Sequence, residues 1–348
     1  MKHYFIVNPK SGKNEKIDVI NDLVIPAAEK TGIDYEIHET TGPNDATRFV
    51  DETAEAAGKE KVRFYAVGGD GTLYEVVNGA HGHKNAEVAA VPRGSGNDWI
   101  RLFGEKEVFL DVEGNINGTP VTLDCIKVND EIALNQASMG FDAEACSEQG
   151  KMKSIPGAVG HITYTLAGLY CAITRVKHDF TVKVDGREIK GPFIQVTVCN
   201  SRWYGSGIQA APFAVPDDGK LDVVAIKRVT SWPKLFYDMM VTWQMLGKHV
   251  NWSYTEYIRG KKVEIESPKP CAINVDGECH PTEKAVMEIE KNGITFVVPA
   301  GSSYFEDKKS GKINNKIKLN IRHKEPLKSV LVAVKPYNRI VNRKYRRK

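Results

Sequence analysis

The feature that most constrains the fold is a regular alternation of strand and helix patterns between Tyr4 and Val91. Tyr4-Phe5-Ile6-Val7 is a β-rich apolar run ending at Asn8-Pro9, the mark of a buried strand entering a loop. From Asn14 to Lys30 the apolar residues Ile17, Ile20, Leu23, Val24 and Ala28 recur at helical spacing. Tyr35 to Ile37 fits a second strand, Ala46 to Ala57 a helix stopped by Gly58, and Val62 to Val67 a third strand. Thr72 to Gly79 fits another helix and Val88 to Val91 a fourth strand. Such alternation implies a parallel, doubly wound sheet with right-handed crossovers, whose ligands bind at the carboxyl edge.

After about Pro120 the texture changes to strand-like runs separated by turns. These are Val121–Val128, Glu131–Leu134, Phe180–Val184, Phe193–Cys199, Leu221–Ile226, Val263–Ser267, Ala272–Val275, Val286–Ile289 and Ile294–Val298. Asn129-Asp130, Asp185-Gly186 and Asn292-Gly293 are hairpin signals between them. Helical insertions are expected near Ile162–Arg175 and Trp232–Leu246. The expected fold is α/β: an N-terminal doubly wound parallel-sheet domain over 1–120, a larger β-rich antiparallel sandwich over 121–305, and a tail over 306–348. No sequence repeat is visible.

With 348 residues, 41% of them hydrophobic, the chain can bury a core without metal or disulfide staples. Its six cysteines include no CxxC pair, and no His/Cys cluster has zinc-ligand spacing, which suits reduced thiols in a cytoplasmic protein. The apolar run at the N-terminus is too short for a secretory signal, and the stretch Gly157–Val176 is too polar to span a bilayer. Of the formal net charge of +4, the segment from Asp307 to Lys348 carries +13, leaving −9 on the body. A basic end of this kind is attracted to an anionic membrane leaflet, so peripheral contact with the inner membrane face is an expectation. No recognition module supports a nucleic-acid partner.

Three loops carry the chemistry. Gly68-Gly69-Asp70-Gly71-Thr72 directly follows a strand and opens a helix, so backbone N–H groups and the helix dipole face an incoming anion. An aspartate inside a phosphate loop makes electrostatic sense when Mg²⁺ lies between it and the phosphates. Taken alone, the loop also fits a tight turn with an Asp cap. Pro92-Arg93-Gly94-Ser95-Gly96-Asn97-Asp98 follows the fourth strand and would form the other wall of a nucleotide cleft on the same sheet edge. Asn8-Pro9-Lys10-Ser11-Gly12-Lys13 ends the first strand but lacks Walker A spacing, and no GxGxxG fingerprint follows that strand.

In this order and spacing the loops resemble those of the diacylglycerol-kinase catalytic-domain family, which includes sphingosine and ceramide kinases. The resemblance runs on through Leu134-Asn135, Gly140-Phe141-Asp142-Ala143, Tyr204-Gly205-Ser206-Gly207, Asp217 to Asp222 and Asn274-Val275-Asp276-Gly277-Glu278, covering about residues 1 to 300. Ser95 stands where threonine is usual, and Ser206 interrupts a stretch that is usually all glycine. The resemblance implies an ATP- and Mg²⁺-dependent lipid kinase. Gly68, Gly69, Asp70, Gly71, Thr72 and Glu75 would hold ATP, helped by Asn8, Pro9, Ser11, Gly12, Thr40, Ser95 and Asn97. Asp70, Asp98 and Asp124 would organise catalytic Mg²⁺ through water. Asp218, with the carbonyls of Val215 and Lys220, matches a structural metal loop. Glu278 would be the general base with Asp276 in support, although Asp276-Gly277 alone also reads as a hairpin turn. A lipid substrate at a membrane surface and a homodimer are the expected partners. The alternatives are an NAD-kinase-like small-molecule kinase and a non-catalytic lipid- or nucleotide-binding protein of the same fold.

Overall fold

The computed structural model describes residues 1–12, 18–153, 171, 178–228, 247–252 and 254–319. Strands β1 (Lys2–Val7), β2 (Tyr35–Glu39), β3 (Val62–Gly68) and β4 (Ala86–Pro92) pair in parallel in the order β4-β3-β1-β2. Helices α1 (Ile25–Thr31), α2 (Asp45–Ala57) and α3 (Asp70–Ala80) make the crossovers. Successive strand residues point to opposite faces: Ile6, Phe64, Ala66 and Val88 pack against Val50 of α2 and Val76 of α3. Phe5, Tyr65, Val67 and Ala89 pack on the other face with Val19 and Val24. Burial on both faces explains the near-continuous apolar runs of β3 and β4. The two charges inside those runs pair: Arg63 Nε and Nη2 donate to Glu87 Oε2 at 2.9 and 2.7 Å. Among described residues, the helix expected over Asn14–Lys30 is a π-helical turn, Val19–Val24, leading into α1.

Two short helices, α4 (Lys106–Leu110) and α5 (Val112–Ile116), lead from β4 into the β-rich unit. Its strands are β5 (Thr119–Val128), β6 (Glu131–Ala133), β7 (Gln136–Gly140), β8 (His178–Val184), β9 (Arg187–Cys199), the short pair β10 (Trp203–Tyr204) and β11 (Ile208–Gln209), β12 (Leu221–Lys227), β13 (Thr255–Gly260), β14 (Lys262–Val275) and β15 (Glu278–Val298). They pair with one another antiparallel. Strand β8 pairs with both β9 and β14, and so does β7, which closes a circuit around a core that includes Met139, Phe180, Phe193, Val263 and Ile273. Strand β14 turns from one layer to the other where its register with β15 breaks between Glu266 and Cys271. Pro268 and Pro270 lie in that gap and cannot donate to a ladder.

Strand β15 joins the two units, running antiparallel to β14 and β5 and meeting β4 in parallel at Phe296↔Val88. Phe296 packs against Trp99 and Phe103, so Trp99 is core, with no exposed surface. Two sequence expectations change here. Val286–Ile289 and Ile294–Val298 belong to one strand, and Asn292-Gly293 is a bulge inside it, where pairing with β5 shifts between Glu290 and Ile294. Likewise Val263–Ser267 and Ala272–Val275 are the two halves of β14. Strands β7 and β13 and the helix α6 (Phe141–Lys153) were not expected. The insertions at Ile162–Arg175 and Trp232–Leu246 lie outside the described residues, apart from Cys171. No helix among the described residues is long and apolar enough to cross a membrane.

Candidate active site

The loops after β1, β2, β3 and β4 meet at the carboxyl edge of the parallel sheet, where a doubly wound fold binds its ligands. Gly68-Gly69 leads into the first turn of α3, and Gly94 crosses it so closely that contact is backbone on backbone. A Cβ on Gly94 would lie 2.6 Å from Gly69 Cα, and one on Gly96 would lie 2.5 Å from Asp70 Oδ2. The glycines therefore let two loops touch, in addition to clearing space for an anion. Arg93 N donates to Gly68 O at 2.7 Å, and Asn8 Nδ2 donates to Thr72 Oγ1 at 3.3 Å, which ties the first loop to the second and third.

The aspartates act as clamps on backbone. Asp70 accepts Asn97 N and Asp98 N, both at 2.8 Å. Asp98 accepts Ser206 N at 2.8 Å, Gly207 N at 2.7 Å and Arg101 Nε at 3.1 Å, so the clamp continues into the β-rich unit. Burial raises the Asp98 carboxyl above the ordinary range, and the neighbouring Asp70 charge adds to the rise. Asp124 serves another seam, accepting Gly219 N at 2.7 Å and Asn292 N at 3.0 Å. Asp276 accepts Leu134 N, Gln136 N and Asn135 N at 2.5, 2.9 and 3.1 Å. Burial pushes its carboxyl up to about 7, against those three donors, which favour the anion.

Asp276 and Gly277 both have positive φ, 48° and 106°, the backbone of a two-residue hairpin turn between β14 and β15. That turn places Glu278 at the start of β15, facing the phosphate loop across a cavity of about 530 Å³. Asn8, Ser11, Thr40, Gly69, Gly71, Thr72 and Glu75 line this cavity together with Glu278. Glu278 Oε1 lies 3.8 Å from where a Cβ on Gly71 would stand, and Glu278 is exposed to the cavity. Glu75 also caps α2, its Oε2 accepting Ala46 N at 3.1 Å. Asn97 locks its own loop through Gly94, while Ser95 is exposed at the tip. The sequence reading left out Glu131 and His280, which also line the cavity; Tyr74 Oη, from the helix that follows the phosphate loop, donates to Glu131 Oε2 at 2.8 Å. No motif marks Glu131 and His280, because strands distant in sequence from the phosphate loop bring them there.

The residues fit the groups that the loops suggest. A polar cavity of this size, faced by the glycine loop after β3 and a helix N-terminus, suits a nucleoside triphosphate. The loop 92–98, expected as its other wall, packs behind the phosphate loop instead, and Glu131, Glu278 and His280 form that wall. Asp70 and Asp98, linked through the Asp98 N–H, put two carboxylates side by side, which a hard cation stabilises. The turn at 215–220 differs: Asp218 accepts Lys220 N and Asn315 Nδ2, both at 3.0 Å, and Arg259 Nη1 lies 4.0 Å away. A cation there would share this carboxylate with a guanidinium.

Fold and site suit a phosphotransferase, and comparison with known proteins gives its class as that of the lipid kinases. A family model described as the diacylglycerol kinase catalytic domain matches residues 2–128. A second, described as the YegS C-terminal NAD kinase beta sandwich-like domain, matches residues 135–298. The chain belongs to the diacylglycerol-kinase family of lipid kinases. It is 27% identical over 302 residues to a Shewanella frigidimarina protein named probable lipid kinase YegS-like, covering 84% of this chain and 93% of that one. It is 27% identical over 277 residues to the diacylglycerol kinase of Bacillus subtilis, covering 78% and 88%. A crystal structure of a diacylglycerol kinase from Bacillus anthracis superposes with a TM-score of 0.63 at 20% identity, over 86% of this chain and 97% of that one.

Proposed function

We propose that this kinase transfers the γ-phosphate of ATP, with Mg²⁺, to a hydroxyl group of diacylglycerol or a related lipid. The observation that carries the reading is that the glycine loop after β3, the loop after β1 and Glu278 line one cavity. Gly68–Thr72, Asn8–Gly12, Thr40, Ser95 and Asn97 hold the nucleotide, with Glu75 fixing the neighbouring helix start. Asp70 and Asp98 would hold Mg²⁺ through water, and the ion would supply neutralisation of the phosphate charge. Glu278 accepts the proton of the acceptor hydroxyl as its oxygen bonds to the γ-phosphorus and ADP leaves. Asp276 positions Glu278 by fixing the hairpin, and Asp124 acts through the backbone at 219 and 292. Asp218, with the carbonyls of Val215 and Lys220, is a further oxygen site for a hard cation. The lipid is met at a membrane surface to which the basic segment 306–348 is attracted, and the chain works as a homodimer without nucleic acid.

The acceptor is found by offering labelled γ-phosphate with Mg²⁺ to a panel in mixed micelles: diacylglycerol, phosphatidylglycerol, a sphingoid base, ceramide and NAD. NAD is included because the C-terminal family model carries that kinship in its description. A labelled lipid that disappears with Asp70→Ala supports the proposal. Label on NAD alone turns it toward a small-molecule kinase, and ATP binding without transfer to any acceptor overturns it.

A further inference from the structure

Away from the kinase cavity, three side chains of metal-binding type converge at the far end of α3. His81 caps that helix, Cys125 lies on β5 and Glu290 on β15. One nitrogen, one sulfur and one oxygen of these residues all lie within 4.8 Å of one another. We propose that His81, Cys125 and Glu290 form a site for a borderline-soft divalent cation, Zn²⁺ by preference, that ties the end of α3 to the β5–β15 pair.

The local backbone is built to bring these atoms together. Cys125 and Glu290 are direct cross-strand partners, and the register breaks immediately after Glu290, rejoining at Ile294↔Leu123. Bulges of this kind re-aim the side chains beside them. The bulge is held by Asn292, whose φ is 56° and whose N–H donates to Asp124 Oδ1 at 3.0 Å. Its last residue must be small, since a Cβ on Gly293 would lie 2.3 Å from Cys125 Sγ. His81 Nε2 lies 3.0 Å from Glu290 Oε1, yet this buried nitrogen has no hydrogen-bond partner among the described residues. A short contact without hydrogen-bond alignment is what ligand atoms show when their lone pairs aim at a point beside the line joining them.

The donor set chooses the ion. One imidazole, one thiolate and one carboxylate, at about 2.0–2.3 Å each, suit tetrahedral Zn²⁺, with water as the fourth ligand. His81 and Glu290 side chains are 26% and 38% exposed, which leaves a path for that water and for the ion. The thiol of Cys125 loses its proton to solvent as the S–metal bond forms, and no electrons change hands. Helix α3 starts at the phosphate loop, so a cation at its other end would brace the nucleotide unit against the β-rich unit. The inference needs nothing from the kinase reading.

Metal-freed full-length protein titrated with Co²⁺ tests it. The expected result is one equivalent bound, with thiolate-to-Co²⁺ charge-transfer absorption that Zn²⁺ displaces. Cys125→Ser should abolish the band, while His81→Asn and Glu290→Gln should weaken binding at least tenfold. Cys146→Ser and Cys279→Ser should change nothing. Because Cys125 is buried and its replacement threatens the fold, a Zn²⁺-dependent rise in Tm that Glu290→Gln abolishes gives a second readout. No uptake, a band that persists in Cys125→Ser, or binding indifferent to His81→Asn and Glu290→Gln would overturn the site and leave a His–Glu ion pair only.

Discussion

Asp70, Asp98, Asp124 and Asp276 are all carboxylates of the kind that phosphoryl transfer calls for, yet each directs both oxygens at backbone N–H groups. Their common task is to fix loops, and the proposed metal contact through water would use the lone pairs left over. Asp276 illustrates the consequence. Asp276→Ala leaves the N–H groups of Leu134, Asn135 and Gln136 without their acceptor. At about 1–3 kcal/mol for each unsatisfied buried group, unfolding stability should fall by about 3 kcal/mol or more in urea titration. An unchanged urea midpoint would remove Asp276 from its positioning role. Glu278, exposed to the cavity, carries no such structural burden.

At the scale of elements, the two glycine loops are one object. Gly94→Ala would force a Cβ to 2.6 Å from Gly69 Cα, so either the phosphate loop moves or the loop after β4 does. Overpacking of this kind costs about 1–3 kcal/mol, and nucleotide affinity should fall at least tenfold in an ATP-binding titration. Wild-type affinity would show that the loops are free to part. Much of this region was legible in the sequence, because a glycine loop between a strand and a helix is specified by a few neighbouring residues. The hairpin of Asp276-Gly277 was legible for the same reason, and its two readings, turn and catalytic region, are both compatible with the structure. What stayed hidden depends on pairing across the chain. Glu131 and His280 reach the cavity, and His81, Cys125 and Glu290 reach one another, only after β5, β14 and β15 have paired. The Asn292-Gly293 signal was real but ambiguous, since a turn and a bulge both favour residues of positive φ.

For the whole molecule, two buried histidines contribute one part of the pH dependence of stability. Burial lowers both His3 and His249 to about 4, with the Arg63 charge adding to the effect on His3. The unfolded chain takes up these protons near the ordinary value of 6.5, before the folded protein can. Stability present above pH 6.5 is therefore lost as pH falls toward 4, at roughly 1.4 kcal/mol per pH unit per histidine. Asp276, Asp142 and Asp222, raised by burial to about 7, 6 and 6, act in the opposite sense over the same window. The histidine part is therefore read by difference. In paired urea titrations His249→Gln should gain stability relative to wild type as pH falls from 6.5 to 4, and parallel profiles would contradict it. At this scale too, removing residues 320–348 should weaken co-sedimentation with anionic vesicles while leaving neutral vesicles unaffected; equal binding by the shortened chain would remove the tail from membrane attachment. The central claim is that the two units complete one kinase cavity with Glu278 as its base. The most direct measurement is the rate of γ-phosphate transfer to the accepted lipid by Glu278→Gln, at saturating ATP and acceptor, with ATP affinity measured alongside. The account predicts a fall in kcat of about 10²–10⁴ with ATP affinity unchanged, and a near wild-type kcat would contradict it.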